Sequence, residues 1–264
     1  MPAKSRLGQN YLIDVQAAQN IAAALGDLAG RTVVEIGPGQ GAITGALSAR
    51  AAHVIAIELD HGLATGLQQQ FEPQRVTVVE QDVLQFDFAA AATQAKDRLR
   101  VAGNLPYYIT SPILLKLAAS HASLDLAVLM AQREVADRVA ATPGSRDYGM
   151  LSVTVQMYGP VECLFTLPPS AFSPPPQVHS TVVRWRFAPR FAELGVEEAG
   201  FLRFLRQAFA QKRKTLANNL RAAGFTPASA AAALARAGID EKMRAEAVPI
   251  EGLAALWRTL EVRN

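Results

Sequence analysis

The stretch "EIGPGQGAIT", residues 35–44, closes a β-branched apolar run, RTVVEI at 31–36, and leads straight into a helix-compatible segment, Gly41–Ala51. Gly37, Gly39 and Gly41 let a backbone turn tightly and approach a ligand more closely than any side chain permits. Read as Gly37-x-Gly39-x-x-Ala42, the stretch also satisfies the dinucleotide-binding spacing, in which a strand hands over to a helix whose N-terminus faces the ligand. The next apolar run, HVIAIE at 53–58, ends in Glu58. That is about twenty positions after the first glycine, where an acid commonly accepts from ribose hydroxyls. The loop by itself does not separate NAD from another adenosine-bearing ligand.

The pattern continues outward. His61–Phe71 is helix-like, Arg75–Val79 is a third strand, Leu99–Ala102 a fourth, Ser111–Ala119 a helix and Leu124–Met130 a fifth strand. Strands separated by helical segments predict a parallel sheet with right-handed crossovers. Asp82 follows the third strand and Asn104 the fourth. Four successive strand ends therefore carry Gly37, Glu58, Asp82 and Asn104 on one edge, the edge at which such sheets bind ligands. One such residue is explained by the preference of Asp and Asn for loop starts. Four in register argue for a single adenosine-containing ligand lying across the crevice. NAD requires a nicotinamide site and a positioned His, Tyr or Lys as hydride partner, and nothing around Asn104-Leu105-Pro106-Tyr107 supplies one.

Beyond Tyr158 the chain changes character. Val161–Leu167 and Val178–Phe187 are strand-like and are joined by LPPSAFSPPPQ. That connection is too short for a helical crossover, so the two strands are predicted to be antiparallel at one end of the sheet. After Ala188–Gly195 the pattern is helical from Glu197 to Leu260. On a helical wheel Phe201, Phe204, Leu205, Ala208, Phe209 and Leu216 share one side. Arg203, Arg206, Arg213 and Lys214 share the other, with Lys212 off pattern. The expectation is a docking helix with a basic outer face. The domain division expected is residues 1–188, an α/β catalytic domain, and residues 189–264, a helical one.

Composition narrows the classes. The chain has 264 residues, 50% of them hydrophobic and 19% charged, an ordinary globular balance. No apolar run is long enough to span a bilayer, and MPAKSRLGQN lacks the apolar core of a secretory signal. Cys163 is a lone cysteine and the four histidines are scattered, which fits a reducing cytosol and gives no metal-ligand spacing. The formal net charge is only +3. It is concentrated, however: Arg203, Arg206, Lys212, Arg213, Lys214 and Arg221 follow one another with no acid among them, the footprint expected for phosphates.

EIGPGQGAIT, IELD, QDVLQFD and NLPY together are similar to the S-adenosylmethionine-dependent methyltransferases. More narrowly, GQNYLID at 8–14, NLPYYIT at 104–110, QREVADR at 132–138, FSPPPQVHSTVV at 172–183 and RKTLANNL at 213–220 resemble the KsgA/Dim1 family, the ribosomal RNA adenine dimethyltransferases. The likeness covers nearly the whole chain. It implies a Rossmann-like class I methyltransferase sheet, mostly parallel with an antiparallel strand near one edge, and a small all-helical RNA-binding domain. It implies an enzyme that uses S-adenosylmethionine, and no metal, to dimethylate the exocyclic N6 amines of two adjacent adenosines. The substrate implied is the 3′ end of 16S ribosomal RNA in a maturing small subunit, met by a cytoplasmic monomer.

By the same resemblance Asn10 and Leu12 close over the cofactor, Gly37 packs against its methionine end, and Glu58 holds its ribose. Asp82 accepts from its adenine amine, Asn104 completes its site, and Phe172 lays a second ring on the target adenine, a core position before the proline turn being the other reading of Phe172. Arg206, Arg213 and Lys214 contact the RNA. Two positions depart from the family pattern: Tyr108 stands where relatives commonly have Asn, and His179 where they commonly have Asp.

The chemistry accounts for NLPY. An adenine amine is a poor nucleophile because its lone pair is delocalised into the ring. Acceptors that hold both N–H groups orient the nitrogen toward a methyl donor, and the side-chain oxygen of Asn104 and the carbonyl of Leu105 are suited to this. Pro106 stiffens the turn, and Tyr107 stacks on a base that has left its helix or loop. Glu35 is open to two readings, a contact with the cofactor's ammonium or a cap on the glycine loop. Two alternative functions are a large-subunit RNA adenine methyltransferase and an RNA-binding assembly factor with vestigial methylation.

Overall fold

Near-continuous apolar runs such as TVVEI and LDLAVLMAQ suit strands covered on both faces, as parallel sheets are. In the computed structural model, which describes residues 10–261, those runs form the centre of a seven-stranded sheet. Gly8 and Gln9 of the GQNYLID motif lie outside the described residues. In chain order the elements begin with β1 (Tyr11–Leu12), α1 (Val15–Ala24), β2 (Thr32–Ile36), α2 (Ala42–Ser48) and β3 (His53–Glu58). Next come α3 (His61–Gln70), β4 (Val76–Glu80), α4 (Phe88–Ala95), β5 (Leu99–Asn104), α5 (Thr110–Ala119) and β6 (Leu124–Gln132). Then follow α6 (Arg133–Val139), α7 (Met150–Met157), β7 (Val161–Leu167), β8 (Phe172–Ser173) and β9 (Ser180–Arg186). The chain ends in α8 (Glu198–Ala208), α9 (Leu216–Ala222), α10 (Pro227–Arg236) and α11 (Ile250–Glu261).

The sheet order is β4-β3-β2-β5-β6-β9-β7. The first five strands are mutually parallel, while β9 runs antiparallel to both β6 and β7. The antiparallel arrangement expected of the last two strands is present, with β9 one place in from the edge. Strand order reverses between β2 and β5, which places the switch point where Ile36 pairs with Gly103. A Cβ on Gly103 would lie 2.6 Å from the Ile36 carbonyl oxygen, so only glycine fits between these strands. Val33, Val54, Val128, Met130 and Val182 join Ile21 and Leu47 in a buried apolar cluster. Among the described residues no helix is long and apolar enough to cross a membrane.

By their internal contacts two compact units emerge: residues up to Ala136 with Val161–Phe187, and Asp137–Pro160 with residues from Ala188 on. The segment Asp137–Pro160, counted with the sheet in the sequence reading, thus belongs to the helical unit. Its Tyr158 hydroxyl donates to Glu198 Oε1 at 2.7 Å, a bond between α7 and α8.

The expected continuous helix through Leu216 is corrected. α8 stops at Ala208, and α9 starts anew at Leu216 with Thr215 as its cap, the hydroxyl accepting from Asn218 N at 3.3 Å. Asn219 Nδ2 donates to the Ala208 carbonyl at 2.7 Å, satisfying the end of α8 from α9. Phe201, Phe204, Leu205, Ala208 and Leu216 are buried as expected, and Arg203, Arg206, Arg213 and Lys214 are exposed. Arg203 and Arg206 are exposed on the outer face of α8, whereas Arg213 and Lys214 are exposed because they lie in the connection between the two helices. Two elements near the N-terminal motif were not anticipated: β1 and its antiparallel partner β8, in which Leu12 pairs with Phe172.

Candidate active site

The carboxyl ends of β2, β3, β4 and β5 open on a cavity of about 340 Å³. Asn10, Leu12, Gly37, Glu58, Asp82 and Asn104 all line it, as do Leu105, Pro106 and Tyr107. The strand-end register thus brings the four predicted positions together, and β1 supplies the other side.

The glycine-loop wall is built by satisfied hydrogen bonds. Gly37 has a left-handed φ of +63° and donates its amide to the Ile57 carbonyl at 3.0 Å. Glu58 is 3% exposed, and its carboxylate is already engaged. One oxygen accepts from Gly39 N at 3.1 Å, the other from Leu59 N at 2.9 Å and Asp60 N at 3.0 Å. Glu58 therefore ties the glycine loop to the start of α3 and keeps lone-pair capacity for a ligand hydroxyl. Asp82 is held in the same manner, accepting from Leu84 N at 2.9 Å. The Tyr11 ring lies 2.9 Å from where a Cβ on Gly39 would sit, so this glycine (φ +56°) is required both by its backbone and by the ring above it. Burial, with Asp60 and Glu58 nearby, raises the Tyr11 phenol above its ordinary value.

Glu35 does not line the cavity. It is 1% exposed and accepts from the Thr44 hydroxyl at 2.6 Å, bracing the glycine loop against α2. Burial pushes its carboxyl up to about 8; the Thr44 bond opposes the rise and Glu58 adds to it. Of its two readings the bracing one fits this geometry.

The opposite wall is different. Asn104 Nδ2 donates to the Asn10 carbonyl at 3.0 Å, tying the NLPY turn to the segment that leads into β1. Its Oδ1 is buried and has no hydrogen-bond partner among the described residues. Leu105, 1% exposed, donates its amide to the Met130 carbonyl at 2.9 Å. The Tyr107 hydroxyl meets Ser180 Oγ at 2.8 Å, and Thr110 Oγ1 donates to the Pro106 carbonyl at 3.0 Å. Neither Ser180 nor Thr110 was singled out by sequence reasoning. The available signal was a serine opening a strand whose next residues are TVV. Tyr108 is 58% exposed and lines the cavity.

Phe172 is corrected. It is 2% exposed, pairs with Leu12 through β8, and belongs to the apolar core rather than to the cavity lining. A phenylalanine in a two-stranded ribbon has one buried face available, and here the core takes it. The basic residues Arg206, Arg213 and Lys214 belong to the helical unit and are exposed there.

Among the described lining residues are two carboxylates and no Lys, Arg or His. Two carboxylates give the described lining a charge that suits a cationic ligand. A switch-point sheet with such a crevice is compatible with a methyltransferase built on a Rossmann-like sheet.

The chain belongs to the ribosomal RNA adenine dimethylase family, whose profile matches residues 2–261. It is 57% identical over 262 residues to a ribosomal RNA small subunit methyltransferase A from Acidobacterium capsulatum, covering 99% of this chain and 92% of that protein. It is 48% identical to the protein of the same name from Koribacter versatilis, covering 97% of this chain and 94% of that one. Among solved structures, a dimethyladenosine transferase from Plasmodium falciparum superposes with a TM-score of 0.78 at 24% identity, over 93% of this chain and 95% of that one. The 23S rRNA methyltransferase ErmE does so with a TM-score of 0.73 at 24% identity, over 96% and 100%. These two structures show the shared fold.

Proposed function

We propose that this protein transfers methyl groups from S-adenosylmethionine to the N6 amines of two adjacent adenosines near the 3′ end of 16S ribosomal RNA. It acts on a maturing small subunit, as a monomer in the cytoplasm. The observation that carries the reading is the buried Asn104 Oδ1, unpartnered among the described residues, on a residue lining a cavity whose described lining holds two carboxylates and no cationic side chain. An orphaned buried acceptor is costly unless a ligand completes it, and an adenine amine is a donor of the right kind.

The residues present fit the donor: Gly37 lets its methionine end approach the backbone, Glu58 takes the ribose and Asp82 the adenine amine. Asn10 and Leu12 cover it, while Asn104, at the edge of its site, acts on the acceptor. When bound, it supplies an already activated, positively charged methyl group. The chain's own task is then positioning. Asn104 Oδ1 and the Leu105 carbonyl hold the N–H groups of the target amine, two in the first transfer and one in the second, and aim its lone pair. Each transfer leaves a neutral thioether and releases one amine proton to water. Pro106 fixes the turn, and Tyr107 stacks on the base. As positive charge moves onto the amine these acceptors interact more strongly, which lowers the barrier. The reading needs no metal. The helical region 189–264 is its RNA-binding part, with Arg206, Arg213 and Lys214 on phosphates.

The test is methyl transfer from labelled S-adenosylmethionine to small subunits lacking adenine methylation, beside large-subunit RNA, with nucleoside analysis of the product. Dimethyladenosine in the small-subunit RNA, absent with Asn104→Ala, is the expected result. Transfer to large-subunit RNA alone would move the substrate. Cofactor binding without transfer to either would favour the assembly-factor role.

A further inference from the structure

The ring of the NLPY turn ends in a hydroxyl that is anchored seventy-three residues away in the chain. The Tyr107 hydroxyl meets Ser180 Oγ at 2.8 Å. Ser180 is 0% exposed and opens β9, where it pairs with Gln132 of β6 and Leu167 of β7. A strand position buried between two neighbours is ordinarily filled by a β-branched apolar residue, as Val182 and Val183 fill theirs on the same strand. A hydroxyl there is tolerated only with a partner, because an unmet buried hydroxyl is costly. Thr181, next along the strand, faces the other way and meets Thr166 Oγ1 at 2.9 Å. The alternation of side chains thus aims one hydroxyl toward the cavity side and one away from it. At the other end of Tyr107, Thr110 Oγ1 holds the Pro106 carbonyl at 3.0 Å, and Thr110 is 2% exposed.

We propose that Ser180 is a positioning residue for the methyl transfer: by holding the Tyr107 hydroxyl it fixes the ring in the plane on which the target adenine stacks. The inference rests on the stacking role given to Tyr107 above. It assigns a purpose to the end of the FSPPPQVHS segment that Phe172, buried in the core, does not serve. It also means that the Tyr107 hydroxyl is committed inside the protein, so that the base meets the face of the ring alone. A ring free to swing about its Cα–Cβ bond would sample orientations in which the amine misses the methyl group, and small misplacements are costly in rate.

The test is a double-mutant cycle on the full chain with small-subunit RNA: Tyr107→Phe, Ser180→Ala and the pair, with Tyr107→Ala as a control on the reading itself. Each single variant is expected to lower kcat by about 3- to 10-fold, the worth of one hydrogen bond. The pair should lose no more than either single change, with S-adenosylmethionine affinity unchanged. A purely structural role for Ser180 would give losses that multiply, or would weaken cofactor binding equally, and either result overturns the proposal. So does a Ser180→Ala enzyme with unaltered kcat. If Ser180→Ala does not fold, Tyr107→Phe removes the same bond from the partly exposed end, and an unchanged kcat there overturns the proposal as well. Tyr107→Ala separates the two readings: full activity without the ring would refute stacking by Tyr107, whatever the cycle returns.

Discussion

The two walls of the cavity are built on opposite terms. On the glycine-loop side the protein has satisfied its own polar groups: Glu58 accepts from three backbone amides, Asp82 from one, and Gly37 donates to Ile57. On the NLPY side a buried oxygen, Asn104 Oδ1, has no partner among the described residues. The first wall is held by its own hydrogen bonds. The second has an unmet acceptor, and in the proposed reaction the target amine meets it. In a protein interior a missing hydrogen bond is expensive, so a donor supplied there by a ligand would be worth more than at an already satisfied group.

Removing the orphan tests that contrast most severely. Asn104→Ala is expected to lower kcat by about 100- to 1,000-fold, in the range of removing one preorganised transition-state contact. S-adenosylmethionine binding, read by calorimetry, should change little. An equal loss of binding would assign Asn104 to the cofactor wall and erase the distinction. Glu58→Ala tests the other side. It leaves the amides of Gly39, Leu59 and Asp60 without their acceptor, and denaturant unfolding should show a loss of about 2–4 kcal/mol. Here cofactor affinity and stability should fall together, unlike the effect at Asn104.

A third region should touch neither wall. Replacing Arg206, Arg213 and Lys214 by Ala is expected to weaken RNA binding about 10-fold. It should also flatten the slope of log K against log salt by about 2, as lost phosphate contacts do. Methyl transfer at saturating RNA should be kept. An unchanged slope with weaker activity would mean that this face meets protein instead.

The smallest effect concerns Glu35, beneath the glycine loop. Burial holds its pKa at about 8, above an ordinary 4.5, so in that interval the native protein binds a proton that the unfolded chain has released. Stability from this group is therefore present at low pH and is lost as pH rises from about 4.5 to 8. Glu35→Gln keeps an acceptor for Thr44 and removes the titration. The Tm of the variant relative to the parent should rise by roughly 5 °C between pH 5 and pH 8. A difference that does not change with pH would mean that Glu35 ionises normally.

Much of this was legible in the chain. The strand ends at Gly37, Glu58, Asp82 and Asn104 fall out of local patterns, because a buried parallel strand writes itself as a short apolar run and its loop begins where the run stops. Their meeting on one edge follows from the strands being parallel, which puts all their carboxyl ends on the same side. The division of α8 from α9 was missed because helical periodicity survives an interruption of a few residues, although Thr215 and Asn218 mark the new cap. The sequence does not separate the two readings of Phe172, because a phenylalanine before a proline turn reads the same whether it faces a ligand or a core.

What the sequence by itself determined, then, is the order of the strands along the chain, the ligand-binding edge and the family. These depend on contacts within one element or between neighbours. Only the tertiary structure decided that β1 pairs with β8, that Asn104 Nδ2 is used up on Asn10 while its Oδ1 is left over, and that Ser180 holds Tyr107. Each of these joins residues far apart in the chain, and such a pairing leaves no periodic trace: it exists only once the sheet has brought the partners within a hydrogen bond of each other.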